Sequence, residues 1–107
     1  MRRVASVIGI IPNDVEEYER LHASVWPAVL ERLSLSNMHN YSIYRHGNLL
    51  FSYLEYTWHD YDADRAALAA DPATRRWWEL CDPLQQPLPE RADGERWKEI
   101  PELFHLD

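Results

Sequence analysis

The run from Asn37 to Thr57 constrains the fold more than any other stretch of the chain. Asn37 to Arg45 and Asn48 to Thr57 each alternate polar and apolar residues, and only His46-Gly47 separates them. Alternation over this length fits strands with two unlike faces, and so short a gap joins them as an antiparallel hairpin. An isolated hairpin is marginal in water, so the rest of the chain must supply further strands and a cover. Successive side chains point to opposite sides of a strand. The pattern therefore puts His39, Tyr41 and Ile43 on one face, and Met38, Asn40, Ser42 and Tyr44 on the other.

The flanking segments supply the missing pieces. Val4 to Ile11 is rich in β-branched residues and stops at Pro12, which predicts a first strand closed by a turn. From Asp14 the residues Val15, Tyr18, His22, Val25, Trp26, Val29 and Leu33 recur at steps of three and four, one face of a helix running to about Ser34, with Asn13 or Asp14 as its cap. Pro27 interrupts it. A proline there deletes the bond to the carbonyl of Ala23 and crowds the preceding turn, so a kink or break is expected at Trp26-Pro27. Asp60 to Ala70 is compatible with helix, and Asp71-Pro72 then restarts the chain as N-cap and first helical position of a helix to about Asp82. Pro83, Pro87 and Pro89 make the next segment irregular and place it over the surface. Glu102 to Leu106 alternates again and reads as a final strand. The order β-α-β-β-α-β is the ferredoxin-like split arrangement, an α+β fold in which a four-stranded antiparallel sheet carries its helices on one face. The other face is left uncovered, which makes a homodimer the physical expectation.

Bulk properties exclude several classes of function. At 107 residues the chain is the size of one domain, spanning 1–107. Eleven Lys and Arg against eighteen Asp and Glu give a net charge of −7, which repels nucleic acid and anionic membrane surfaces. The apolar run Val4 to Ile11 is too short for a secretion signal and leads directly into NDVEEYER, and no window approaches a membrane span. The single Cys81 cannot form an internal disulfide, so a cytoplasmic location is expected.

Chemistry concentrates on the first helix. Tyr18 and His22 lie four residues apart and are neighbours on its apolar arc, with Trp26 one turn further on. The plainer reading of His22 is a core histidine satisfied by one hydrogen bond. Its company argues for more, because this helix must cover a hairpin carrying His39 and Tyr41. Trp77-Trp78 lies on the later helix, where adjacent side chains diverge by about 100° and only one can point squarely inward. Ordinary packing explains such a pair, yet indole faces beside Tyr, His and Asn also suit a sugar, which is apolar on its C–H faces and polar at its rim. The five histidines show no H-x-H or H-x₃-H spacing, so no metal site is expected. Cys81 reads as a small packing residue, and three scattered glycines cannot build a phosphate loop, so no nucleotide cofactor is expected.

In this order EEYERLHASVWP, HNYSIY, NLLF, RWWELCDPL and ELFHL resemble the L-rhamnose mutarotase family, over almost the whole chain. The turn YRHGN is shorter than the family's typical hairpin turn. The resemblance implies a small ferredoxin-like homodimer of the dimeric α+β barrel type. Such a protein interconverts the α and β anomers of L-rhamnose, or a related 6-deoxyhexose, without a cofactor. It implies His22 as the catalytic acid and Tyr18, Tyr41, Trp77 and Trp78 as sugar contacts. His22 suits the reaction, since an ordinary histidine has both protonation states accessible near neutral pH. His39 and Tyr41 are candidates for the base. Two other classes fit the architecture: a cofactor-independent oxygenase-like module and a non-catalytic ligand-binding dimer.

Overall fold

A computed structural model describes residues 1–107. Strand β1 (Arg2–Ile10) leads through a 3-10 turn into helix α1 (Val15–His22) and then α2 (Pro27–Leu35). The hairpin β2 (Met38–His46) and β3 (Leu49–Tyr56) follows, then α3 (Tyr61–Ala70) and α4 (Pro72–Cys81), and finally two short strands, β4 (Gln85–Gln86) and β5 (Lys98–Ile100). The sheet is antiparallel in the order β2-β3-β1-β4, with β5 also paired to β1. Two short pieces thus share the outer edge of β1 and together fill the fourth strand position of the ferredoxin-like arrangement.

Proline does more than kink the first helical run. Trp26 is extended, with ψ 134°, and α2 begins at Pro27. A residue before proline is driven out of the helical region, while proline itself suits the first helical position, where no N–H partner is needed. The break re-aims the second half, so that Val29 of α2 and Tyr18 of α1 enter one cluster with Ile8, Ile10, Leu50, Trp77 and Cys81. The Asp71 cap is present: its carboxylate accepts from the Thr74 backbone N–H at 2.9 Å and from the Thr74 hydroxyl at 2.8 Å. Asp14 precedes α1 without a side-chain cap bond, contrary to the expected capping there. Asn37, just past α2, takes φ +62°, the left-handed conformation that commonly ends a helix.

Three expectations are corrected. Glu102 to Leu106 is not a strand. Adjacent Leu103 and Phe104 break a two-residue period, Pro101 ends β5, and Leu103, Phe104 and Leu106 are 95%, 80% and 79% exposed. The proline-rich segment is not simply wrapped over the surface, because Gln85 and Gln86 pair with Ile10 and Gly9, and Gln85 is only 8% exposed. A Cβ on Gly9 would collide with the carbonyl oxygen of Gln86, so this strand needs a glycine where β4 approaches.

The third correction concerns the hairpin faces. His39 lies opposite Glu55 and Ser42 opposite Tyr53, so Asn40 and Tyr41 together face the single residue Leu54. This is a β-bulge, with Asn40 at φ +47°. Asn40 leans to the open side, where its amide donates to Glu55 at 2.6 Å. Ile43 shares the helix-covered face with Ser52, Leu50 and Ile8, and Tyr41 precedes it by two. His39 shares the opposite face with Glu55 and Arg3, so it does not lie beside Tyr41 as plain alternation predicts. The hairpin turn falls at Gly47-Asn48, one residue later than expected, with Gly47 at φ +58°.

Candidate functional site

Helix α1 presents Tyr18 and His22 one turn apart toward the sheet, and α4 brings Trp77 against them. The Tyr18 and His22 rings stack with centroids 4.2 Å apart and an interplanar angle of 21°. Trp77 meets the edge of His22 at 5.3 Å and 68°, and Trp26 meets Trp77 at 5.3 Å and 69°. The Trp26-Pro27 break has a direct consequence here, since it delivers an indole from the connector between two helices.

His22 Nδ1 lies 2.9 Å from the backbone carbonyl oxygen of Tyr18. A carbonyl only accepts, so Nδ1 carries hydrogen and the neutral ring keeps its lone pair on Nε2. Neither His22 Nε2 nor the Trp77 indole nitrogen bonds within the chain, and no buried side-chain nitrogen or oxygen lacks a partner. Both therefore reach the surface, although Trp77 as a whole is 6% exposed. Burial lowers the His22 pKa below the ordinary 6.5, and the bond to the Tyr18 carbonyl opposes that shift only in part. The neutral imidazole is favoured.

The two tyrosines keep their protons firmly. Burial raises the Tyr18 hydroxyl well above its usual range, against a lowering by the amide of Gln85, which donates to Tyr18 Oη at 3.2 Å. Tyr41 is 40% exposed, yet loss of water at its hydroxyl, followed by the influence of Tyr61 and Cys81, pushes its pKa up to about 12. Tyr41, two residues before Ile43, stands on the helix-covered face of the hairpin. Cys81 is buried and its thiol is pushed up to about 12, so it is a packing residue without nucleophilic character.

Tyr18, His22 and Trp77 thus come together, with Tyr41 on the sheet face that the helices cover. Trp78 does not make a ring contact with them; it is 37% exposed and lines an open hollow of about 560 Å³ with Arg75, Glu79, Asp82 and Arg96. His39 is exposed on the far side of the sheet. Sequence reasoning missed Gln85 and Arg96, whose side chains reach Tyr18 in series. The one usable signal was Gly9, since a glycine inside a β-branched strand marks a close approach by another backbone. No three His, Cys, Asp or Glu side chains gather in a metal-binding group.

Comparison with known proteins gives the site its context. The family model described as L-rhamnose mutarotase matches residues 3–106. The chain belongs to the L-rhamnose mutarotase family. Among members of this family, the L-rhamnose mutarotase of Pectobacterium atrosepticum is 36% identical over 110 residues, covering 100% of both chains. That of Ligilactobacillus salivarius is 33% identical, covering 98% of this chain and 97% of its own. Among solved structures, an L-rhamnose mutarotase from Formosa agariphila aligns over 100% of both chains with TM-score 0.79 and 19% identity. Tetracenomycin F2 cyclase from Streptomyces glaucescens, a type II polyketide cyclase, aligns over 100% of this chain and 98% of its own, with TM-score 0.70 and 15% identity. These two likenesses carry the fold that the mutarotase family shares with other chemistry.

Proposed function

We propose that this single-domain chain interconverts the α and β anomers of L-rhamnose, or of a related 6-deoxyhexose, by cofactor-free proton transfer at His22. Membership of the family names the sugar class. The observation that carries the mechanism is the pinned imidazole, with Nδ1 held by the Tyr18 carbonyl and Nε2 open to a ligand.

Ring opening moves one proton from the anomeric hydroxyl, O1, to the ring oxygen, O5, while the C1–O5 bond breaks and C1=O1 forms. O1 and O5 are both bonded to C1, so a single nitrogen can take the proton from one and return it to the other. The lowered pKa makes His22 the base at the start of this step. The imidazolium it becomes is then the acid. This refines the role that the resemblance implies, since His22 acts as acid only after it has collected the substrate's own proton. Rotation about C1–C2 and reclosure by the reverse transfer give the other anomer.

Tyr18 and Tyr41 supply hydroxyls for the sugar rim, and Trp77 an indole wall against its C–H face. Trp78, which faces the separate hollow beside Arg75 and Glu79, does not join that wall. A second copy of the chain completes the reading. The sheet face opposite the helices carries Phe51, Tyr53 and the exposed Tyr44, and the tail beside it exposes Leu103, Phe104 and Leu106. Apolar groups gathered this way suit a self-complementary interface. No helix is long and apolar enough to cross a membrane, and a lone reduced thiol accords with work in the cytoplasm.

The test is saturation-transfer NMR on equilibrated L-rhamnose, comparing the chain with His22→Ala at equal folded concentration. Exchange faster than in buffer, lost in the variant, is the expected result. No enhancement with any 6-deoxyhexose would end the mutarotase reading, and equal enhancement in both proteins would remove His22 from the mechanism.

A further inference from the structure

We infer that Gln85, locked by Arg96, is a positioning residue that makes Tyr18 a hydrogen-bond donor toward the substrate. The inference rests on the anomer-exchange reading above and adds a residue to it. A guanidinium has donors only, so the Gln85 atom facing Arg96 Nη2 at 3.1 Å must be the amide oxygen. The amide nitrogen therefore faces Tyr18 Oη, at 3.2 Å, as a donor. Tyr18 accepts that bond and makes no other through its hydroxyl within the chain, which leaves its hydrogen for something outside. Without the guanidinium the amide could turn over, and the phenol would then spend its hydrogen on Gln85.

The lock is built into the fold at both ends. Arg96 Nη2 also donates to the Asp82 carbonyl at 3.0 Å, with its Nε 3.7 Å from the Asp82 carboxylate, just past the end of α4. Gln85 itself is held by the pairing of β4 with Gly9 and Ile10 of β1. Gln85 is 8% exposed, so water competes poorly for the bonds of its amide. A phenol that keeps its proton and cannot donate inward suits the oxygen that gains charge when the sugar ring opens.

Two substitutions separate orientation from packing. Gln85→Glu keeps the size and the Arg96 contact but offers only acceptors, so it draws the Tyr18 hydrogen inward. Gln85→Met loses both polar bonds and leaves the hydroxyl free to turn toward substrate. With the sugar titrated to separate kcat from KM, Gln85→Glu should lower kcat on the order of 10²-fold, and Gln85→Met distinctly less. A residue that serves only to anchor Arg96 predicts the reverse order, because Glu keeps an acceptor for the guanidinium that Met lacks. That order, or equal rates in the two variants, overturns the inference.

A second measurement needs no turnover. With carbon-13 at tyrosine Cζ, the Tyr18 resonance, assigned by its absence from Tyr18→Phe, should move downfield in Gln85→Glu as the phenol begins to donate to a carboxylate. An unmoved resonance overturns the inference whatever the rates. A moved resonance in a protein whose wild type shows no exchange would sink the mutarotase reading while the Gln85–Tyr18 arrangement stands.

Discussion

The two sides of the β2–β3 hairpin carry similar residues into opposite circumstances. On the helix side, Tyr41 and Ile43 share a face with Leu50 and Leu54, and burial pushes the Tyr41 pKa up to about 12. On the open side, Tyr44 and His39 project outward beside Phe51 and Tyr53, and Tyr44 is 64% exposed. A tyrosine is therefore uninformative by type alone; the side of the sheet it occupies decides whether it meets a ligand or another surface.

The contrast can be attacked from both sides. The largest effect belongs to the helix side: His22→Ala should reduce the exchange enhancement by about 10²- to 10⁴-fold without loss of folded protein, read by saturation transfer. Gly9→Ala comes next. Its Cβ would push β4 away, so a loss of about 1–3 kcal/mol in urea unfolding is expected, together with a fall in kcat as Gln85 leaves Tyr18. A stable, fully active Gly9→Ala would show that β4 does not position the site.

On the open side, Phe104→Asp should weaken self-association about tenfold or more in sedimentation, with the far-UV spectrum unchanged. An unaltered dimer would move the interface elsewhere. The sharpest test of the hairpin itself is smaller. Tyr41→Phe should slow exchange roughly three- to tenfold through the loss of one neutral hydrogen bond, while Tyr44→Phe leaves it within error. The reverse order would mean that the two faces have been exchanged.

The smallest effect is in pH. Burial lowers the His22 pKa, so between its native value and the ordinary 6.5 the unfolded chain binds more protons than the folded one. Stability from this group is complete above about 6.5 and is lost as pH falls through the native value. Exchange should fall on the same acid limb, because the neutral base disappears. His22→Gln should flatten the denaturation midpoint between pH 7.5 and 5.5; an equal slope in both proteins would assign it to other groups.

How much of this was readable without coordinates depends on how local the determining physics is. The steps of three and four from Val15 to Leu33 report burial of a helix face directly, and Asp71-Pro72 carries its own cap chemistry, so α1, α2 and α4 were legible. Tyr18, His22 and Trp77 follow from them. The faces of β2 were legible from Tyr41 onward but not at Met38 and His39, because the bulge is an asparagine at positive φ in a run with no glycine to announce it. β4 was hidden for a related reason. Two glutamines between prolines show no alternation, and their pairing is decided by a glycine 77 positions earlier in the chain. Arg96 is a long-range partner whose type on the surface is unremarked by any local pattern.

The extra residue at Asn40 has a consequence for how such a protein can change. A substitution alters one side chain in place, whereas loss of this single residue would remove the bulge, leaving Tyr41 alone opposite Leu54 and every other side chain on the side it already occupies. Tyr41 keeps the helix side and Tyr44 the open side with or without the extra residue. An evolving lineage could in this way gain or lose the extra residue, and with it the bond from Asn40 to Glu55, without disturbing which side of the sheet each tyrosine serves.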